Sequence, residues 1–276
     1  MKDSIVEFYR SYDEDARLLK PSGRLEFERL KGLIYPYLRS PAAILDVGGG
    51  TGRYSLWLAE LGHQVHLIEP AANLVEQAQK HSAKCDAKIA SFSVGDARSL
   101  PVSDSHADMI LLFGPLYHLI EKEERLKVLR EAHRALKPGG VVFALGISRF
   151  VSLMDALRKP WVRDKDFCDI VTQDLASGVH RNPTNHPAYF TDAYFHLPSE
   201  LRDEVAHSGF KVERLVGVEG PAWLFSTLPE LQENSGTWST VLSYLSKIEE
   251  EASLLGTSAH VLVIGRKEAN RVAGGN

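Results

Sequence analysis

Residues 46–52 have the composition of a turn that can hold a ligand against bare backbone. An acid, Asp46, is followed by six residues of which four are glycine. Residues 43–46 are typical of the end of a short buried strand, and residues 53–61 are typical of a helix. A strand, a glycine turn and a helix in this order expose backbone N–H groups at the helix N-terminus. In an open α/β sheet, nucleotide-like ligands bind at such a turn.

The spacing of the glycines disfavours two common nucleotide sites. In the dinucleotide pattern Gly-x-Gly-x-x-Gly, Arg53 would stand at the third glycine. A phosphate-binding P-loop would need Lys and Ser or Thr after Gly52, where this chain has Arg53 and Tyr54. A turn that binds nothing remains an alternative at this point. The pattern that remains is Asp-x-Gly-x-Gly-x-Gly, formed by Asp46, Gly48, Gly50 and Gly52.

Two further acids follow the next two predicted strands. Glu69 ends an apolar run at 64–69, where an acid can accept hydrogen bonds from ribose hydroxyls. Asp96 follows a strand predicted at 87–94 and could accept from an adenine amino group, with the Ala97 N–H serving a ring nitrogen. The structural alternatives are a solvated acid at a helix start for Glu69 and a turn residue for Asp96.

Four motifs in this order resemble those of class I S-adenosylmethionine (SAM) methyltransferases of the small-molecule, type 11-like branch. They are the glycine turn, Glu69, the triplet Gly95-Asp96-Ala97 and the run Arg-Ala-Leu-Lys-Pro-Gly-Gly at 134–140. The resemblance covers residues 42–147 and implies SAM as cofactor, with S-adenosylhomocysteine as product. The cofactor-binding residues it implies are Asp46, Gly48, Gly50, Gly52, Glu69, Asp96, Ala97 and Gly114.

Strand and helix patterns alternate along residues 42–147, which predicts an α/β fold with a parallel, doubly wound sheet. The resemblance implies a Rossmann-like sheet of seven strands, one of them antiparallel, and we expect a mainly helical cap beside it. Residues 210–218 and 259–265 are predicted as the sixth and seventh strands. In the family these two strands are usually joined by a tight hairpin, so the long connection between them departs from the minimal pattern.

The chain therefore divides into core and cap segments. The core is expected to comprise 41–147, a helix and the sixth strand at 198–218, and the last strand with a frayed tail at 259–276. The cap is expected to comprise two N-terminal amphipathic helices at 1–40, an insertion at 148–197 with two helices and an irregular stretch, and a second insertion at 219–258.

Methyl transfer from SAM is a direct displacement, for which a protein mainly supplies orientation and exclusion of water. A general base is needed only when the nucleophile must lose a proton. The candidate catalytic residues are Tyr117, His118, His180 and Arg181. Packed cap residues, or for Arg181 a surface ion pair, are the structural alternatives. His180, His186 and His196 lack the tight spacing of a metal site, so no metal is expected.

The amino-acid composition narrows the range of possible binding partners and cellular locations. The net charge of −4 disfavours a protein that binds nucleic acid through a broad basic face. The two cysteines lie far apart, the N-terminus is polar and no long apolar run occurs, so we expect a cytoplasmic protein outside the membrane. We predict a methyltransferase for a small organic acceptor. An RNA or protein methyltransferase and a non-catalytic SAM-binding protein remain alternatives, and a homo-oligomer remains open.

Overall fold

The computed structural model describes residues 19–39, 41–186 and 188–269. The first predicted helix and most of the predicted frayed tail therefore lie outside the described residues. Nine strands are described: β1 (Ala43–Val47), β2 (Gln64–Glu69), β3 (Ser91–Val94), β4 (Ala107–Leu112), β5 (Leu136–Ser148), β6 (Val179–His180), β7 (Ala193–His196), β8 (Phe210–Gly217) and β9 (His260–Lys267). The α-helices described are α1 (Pro21–Ile34), α2 (Arg53–Glu60), α3 (Ala72–Lys84), α4 (Pro115–His118), α5 (Lys122–Ala135), α6 (Val151–Arg158), α7 (Lys165–Ser177), α8 (Pro198–His207), α9 (Leu228–Glu233) and α10 (Ser235–Ile248).

Seven of the strands form the sheet that the sequence predicts. Their spatial order is β3-β2-β1-β4-β5-β9-β8, and β9 alone among them runs antiparallel to its neighbours. The chain order reverses between β1 and β4, where Asp46 lies beside Leu111. Open α/β sheets bind ligands beyond the carboxyl ends of the strands at such a switch point. The Rossmann-like, doubly wound fold with one antiparallel strand is thus confirmed.

Apolar residues cover both faces of the sheet, as expected for parallel strands buried on two sides. Leu45 of β1 packs into the cluster that contains Leu129 of α5 and Val205 of α8. The preceding residue, Ile44, packs on the opposite face with Leu30 of α1 and with α2. Successive side chains of one strand therefore anchor helices on opposite faces, which fixes the glycine turn between β1 and α2.

Two short strands occupy a stretch for which the sequence predicts only irregular structure. β7 pairs in parallel with the last two residues of β5, Ile147 and Ser148, and β6 pairs antiparallel with β7. The end of β5 runs past Leu112, the last residue of β4, so it can take a new partner there. That pairing was not predictable from β6 or β7, which are only two and four residues long.

The Lys-Pro-Gly-Gly run at 137–140 is typical of a turn before a strand, but the structure differs. These residues belong to β5, which runs continuously from Leu136 to Ser148. Gly139 has φ +82°, and the register with β4 shifts between Ala107 and Met109. From Leu136 to Val141 β5 advances by five residues while β4 advances by two, so the motif bulges out of β5, which a glycine at positive φ permits.

The two insertions are folded and helical. In the first, α6 and α7 enclose an apolar cluster that includes Phe167 and Tyr189. In the second, Trp223 and Trp238 are buried together with Leu25 of α1. These two tryptophans therefore belong to a core and not to an exposed contact face. Among the described residues, no helix has both the length and the apolar character needed to cross a membrane.

Candidate functional site

A cleft opens at the carboxyl ends of β1, β2 and β4, with about 1080 Å³ of empty space that includes open solvent. Its lining includes residues predicted to bind the cofactor and residues predicted to act in catalysis. The former are Asp46, Gly48, Gly50, Glu69, Asp96, Ala97 and Gly114, and the latter are Tyr117 and His118. Predicted site residues separated by up to about seventy residues along the chain thus meet at one edge of the sheet.

The glycines of the turn have different structural roles. Gly48 has φ +76°, and a Cβ placed on it would lie 2.8 Å from Cδ of Pro115. Gly50 has φ +53°, lines the cleft, and a Cβ on it would meet no atom of the described residues within 4 Å. Gly52 caps α2 with φ +87° and packs toward Ala78, outside the cleft lining. Gly50 therefore leaves the space that a ligand would fill, whereas Gly52 shapes the turn.

Asp46 lies at the base of the cleft with a fully buried carboxylate. One oxygen, Oδ2, accepts a hydrogen bond of 2.6 Å from the Ser55 hydroxyl, and the other, Oδ1, has no hydrogen-bond partner among residues 19–39, 41–186 and 188–269. Burial raises the pKa of the Asp46 carboxyl to about 6, although the hydrogen bonds from Ser55 oppose the rise. An unsatisfied buried carboxylate oxygen costs free energy, and a cationic ligand group at the cleft would relieve that cost.

The raised pKa of Asp46 predicts a stability that declines as the pH rises. The folded protein holds this proton more tightly than the unfolded chain, so the contribution is complete below the ordinary value of 3.8 and is lost as the pH passes about 6. From about pH 4 to about pH 7 the free energy of unfolding should fall by about 3 kcal/mol at this residue. Urea unfolding of the wild type and of Asp46→Asn across this pH range measures the loss. The difference between the two free energies of unfolding cancels the contributions of the other titrating groups. A pH-independent difference would contradict the burial of a titrating Asp46.

Glu69 joins the end of β2 to the glycine turn. Its Oε2 accepts from the Gly50 N–H at 3.1 Å and its Oε1 accepts from the Ala71 N–H at 3.0 Å. The side chain is buried, so these two N–H groups fix the carboxylate in the cleft wall. Acceptors that are held in this way are positioned before a ligand arrives.

Asp96 is held by Arg98, a residue that the sequence analysis did not select. Arg98 donates to Oδ1 of Asp96 through both its backbone N–H and its Nε, each at 2.9 Å, and to Oδ2 through its guanidinium. These hydrogen bonds hold the pKa of the Asp96 carboxyl well below its usual range. Arg98 also pairs with Glu124 of α5. The signal available in the sequence was only an arginine two residues after a turn aspartate.

Tyr117 and His118 lie together on α4, in the cleft. The Tyr117 hydroxyl donates to the Phe113 carbonyl at 2.9 Å. Burial lowers the pKa of His118 to about 3, so its imidazole is neutral at neutral pH. The rings of Tyr117 and His118 lie 6.4 Å and 5.8 Å from the Phe190 ring, which belongs to the first insertion. These two residues therefore form the boundary between the cleft and the insertion.

The other two predicted catalytic residues are not brought to the cleft. His180 lies beyond Phe190, where its Nδ1 is 2.8 Å from Oδ2 of Asp174. Arg181 is partly exposed and pairs with Asp192 at the surface. Successive side chains near a strand point in opposite directions, which sends His180 inward and Arg181 outward.

His180 lines a second cavity, which is open to solvent and has about 850 Å³ of empty space. Most of its lining is apolar and much of it is aromatic. The lining residues are Ile147, Val151, Ser152, Asp155, Trp161, Phe167, His180, Ala188, Tyr189, Phe190, Phe195, Ala259 and His260. Because Phe190 also contacts the rings of Tyr117 and His118, the second cavity shares a wall with the cleft.

Sequence reasoning missed several residues that line these cavities. Glu26 stands between Leu25 and Phe27 on the buried face of α1 and reaches the cleft. Among the described residues, potential metal-ligand atoms of Glu26, Glu219 and His260 lie within 4.8 Å of one another. A buried acid flanked by apolar residues was the available signal for Glu26, whereas nothing local marked Glu219 or His260.

Comparison with known proteins gives one matching domain model and several relatives. A family model for a methyltransferase domain matches residues 44–140. A ubiquinone/menaquinone biosynthesis C-methyltransferase of Acidiphilium cryptum is 36% identical over 127 residues, which cover 45% of this chain and 49% of that protein. The same enzyme of Rubrivivax gelatinosus is 35% identical over 187 residues, covering 65% and 64%. The chain thus spans about half to two thirds of the length of these relatives.

The fold is also found among solved structures. A SAM-dependent methyltransferase from Methanosarcina mazei superimposes with a TM-score of 0.59 and 19% identity, over 86% of this chain and 97% of that one. At this identity the likeness establishes the shared fold alone.

Proposed function

Because the chain belongs to the class I SAM-dependent methyltransferases, we propose that it transfers a methyl group from SAM to a small organic acceptor. One observation carries the proposal: three acids, Asp46, Glu69 and Asp96, stand at or just beyond the carboxyl ends of neighbouring strands around one glycine-lined cleft. A nucleoside that also carries positive charge is the kind of ligand that such a cleft matches.

The residues present fit SAM. Glu69 would accept from the ribose hydroxyls, and Asp96 would accept from the adenine amino group beside the Ala97 N–H. The unsatisfied Oδ1 of Asp46 would face the cationic part of the ligand, close to the bare backbone of Gly50. When bound, SAM supplies an electrophilic methyl group on a positively charged sulfur.

The chain's own residues would mainly orient the reactants and exclude water. Tyr117 and His118 form the wall between the cleft and the second cavity, so we propose that they face the reacting groups. The neutral imidazole of His118 adds no positive charge that would repel a sulfonium. His180 would act from the second cavity, and Arg181 is left with a role at the surface.

A small acceptor is supported by three observations. The second cavity is enclosed by insertion residues, mostly apolar, and abuts the cleft. The net charge of −4 gives no broad attraction to RNA. The two relatives named above act, by their names, in ubiquinone and menaquinone biosynthesis.

The proposed function predicts tight binding of SAM and S-adenosylhomocysteine by calorimetry. Asp96→Ala should weaken both about 10- to 100-fold, since it removes a hydrogen-bond acceptor for adenine and releases Arg98. Asp104→Ala is the matched control, because Asp104 also pairs with an arginine, Arg134, but does not line the cleft. Its affinities should equal those of wild type.

Wild-type protein that binds neither compound would refute the proposal. Turnover of SAM with a panel of phenols, thiols, amines and acids distinguishes an enzyme from a SAM-binding protein without catalysis. Copurifying RNA that dissociates steeply with salt would instead favour a macromolecular substrate.

A further inference from the structure

His260 is the first residue of β9, the antiparallel strand of the sheet. Because β9 runs opposite to its neighbours, its first residue lies at the edge where β1, β4 and β5 end. His260 lies beside Ile147, near the end of β5. It is therefore at the functional edge of the sheet although it follows the domain matched at 44–140 by more than one hundred residues.

Glu219 holds the His260 ring in one orientation. The distance from Nδ1 of His260 to Oε1 of Glu219 is 2.6 Å. The other oxygen of Glu219, Oε2, accepts from the Ser258 hydroxyl at 2.7 Å and from the backbone N–H of His260 at 2.9 Å. Glu219 is buried, so it is fixed from both sides. A buried carboxylate on Nδ1 sets the tautomer and stabilises the imidazolium when Nε2 takes a proton.

The Glu219–His260 pair lies between the two cavities. His260 lines the second cavity, and 17% of its side chain remains exposed. Glu26, which lines the cleft, approaches both residues within 4.8 Å. The imidazole is thus placed near the boundary where an acceptor in the second cavity would approach a methyl group delivered from the cleft.

We propose that the second cavity binds the methyl acceptor, a neutral hydroxylated aromatic compound, and that His260 is the general base that removes the proton from its hydroxyl group. This inference rests on the proposed methyltransferase function. Glu219 is its positioning residue. Neither residue was selected from the sequence.

The other titratable groups around the cavity are poorly suited to this task. The hydrogen bond from Tyr189 to Asp164 raises the pKa of the Tyr189 hydroxyl to about 12. Asp155 is ion-paired with Arg158 and Lys159. Only 2% of the His180 side chain is exposed, against 17% of the His260 side chain, so His180 is less accessible to an acceptor in the cavity.

The lining also indicates the class of acceptor. Aromatic rings of Trp161, Phe190 and Phe195 favour a flat apolar compound. None of the described residues lining the cavity is a lysine or arginine, so a carboxylate acceptor would find no fixed positive charge there. Asp155 is neutralised by its ion pairs, so a cationic amine finds no unpaired acid at that position either.

The step balances without a further reactant. Nε2 of His260 takes the hydroxyl proton while the acceptor oxygen forms a bond to the methyl carbon. The bond between that carbon and sulfur breaks with its electron pair going to sulfur, which leaves S-adenosylhomocysteine and a methyl ether. His260 then releases the proton to water, and the net charge of the reaction is conserved.

The first test uses 4-nitrophenol as the probe, in the presence of S-adenosylhomocysteine. Its absorption spectrum separates phenol from phenolate without any turnover. At a pH where the free probe is mostly protonated, wild type should raise the bound phenolate-to-phenol ratio about tenfold or more, since His260 can take the proton. His260→Asn should abolish this rise. His207→Asn changes an exposed histidine of α8 that does not line the cavity, and it should keep the rise.

The second test measures methylation of 4-nitrophenol. His260→Asn should lower kcat about 10²- to 10⁴-fold while the Kd for S-adenosylhomocysteine stays within about twofold. Wild-type kcat/KM should rise with pH and level off, and His260→Asn should lose this limb. Glu219→Gln should keep the limb but move it to lower pH, because the carboxylate no longer stabilises the imidazolium. Glu26 and Glu219 are the titratable groups close to His260, and Asp155, His180 and Tyr189 line the same cavity.

Several outcomes would overturn the inference. They are no binding of 4-nitrophenol by wild type, an unchanged spectrum or pH limb in His260→Asn, and activity that a chelator removes and a divalent metal restores. A wild type that binds S-adenosylhomocysteine but methylates only amines or acids overturns this inference and preserves the proposed function. Failure to bind S-adenosylhomocysteine refutes the proposed function itself.

Discussion

Gly50→Val is expected to weaken SAM binding at least about 100-fold, equivalent to about 2.7 kcal/mol, while the protein remains folded. Gly50 lines the cleft, and within the described part of the chain no atom lies within 4 Å of where its Cβ would stand. The new side chain would therefore occupy space that the ligand needs. The backbone N–H of Gly50 donates to Glu69, so the valine would also disturb the acid that we assign to the ribose. Calorimetry with SAM and with S-adenosylhomocysteine measures the loss.

Gly62→Val is the matched control for this change. Gly62 also has positive φ, +87°, and open space around its Cβ position, but it lies outside the cleft. Both variants should lose about 1–2 kcal/mol of unfolding free energy, since valine is strained in this backbone conformation. Only Gly50→Val should lose affinity. Equal affinities of the two variants would show that the cleft does not hold SAM against this turn.

Arg125→Met is expected to lower the free energy of unfolding by about 3–5 kcal/mol, because it leaves the buried carboxylate of Glu204 without its cation. Arg125 is 1% exposed, and its guanidinium donates to Glu204 of α8 at 2.7 Å. Burial alone would raise the pKa of Glu204, but hydrogen bonds from His196 and Arg125 hold it at about 2. Arg125 also donates to the carbonyls of Leu119 and Ile120, directly after His118.

Two controls separate this loss from a general effect of removing a charge. Arg130→Met changes an exposed arginine of the same helix, whose pairing distance to Glu123 is 3.7 Å, and should cost at most about 1 kcal/mol. Adding Glu204→Gln to Arg125→Met removes the unpaired charge and should recover part of the stability. Urea unfolding checks all three variants. A double variant no more stable than Arg125→Met would contradict the account.

Local patterns were sufficient for the sheet and the cleft. Residue types at 46–52 require positive φ at several glycines, and alternating strand and helix patterns leave few topologies for the core. The placement of Glu69 and Asp96 in the cleft could also be predicted, because parallel strands end at the same edge of the sheet. The pattern at 137–140 was misread as a turn, since a glycine at positive φ serves a turn and a bulge equally well.

The acceptor side depended on contacts between distant segments. In the sequence, His118 and His180 are equivalent candidates, yet Phe190 separates them in the structure. His260 and Glu219 are 41 residues apart and come together only through the β8–β9 pairing.

The sequence by itself determined the family, the sheet and the residues that we assign to the methyl donor, because those features depend on backbone conformations and strand ends that are local. Only the tertiary structure decided which side chains face the second cavity. Their directions follow from how the two insertions and α1 pack on the edge of the sheet, and such packing has no local pattern in the chain.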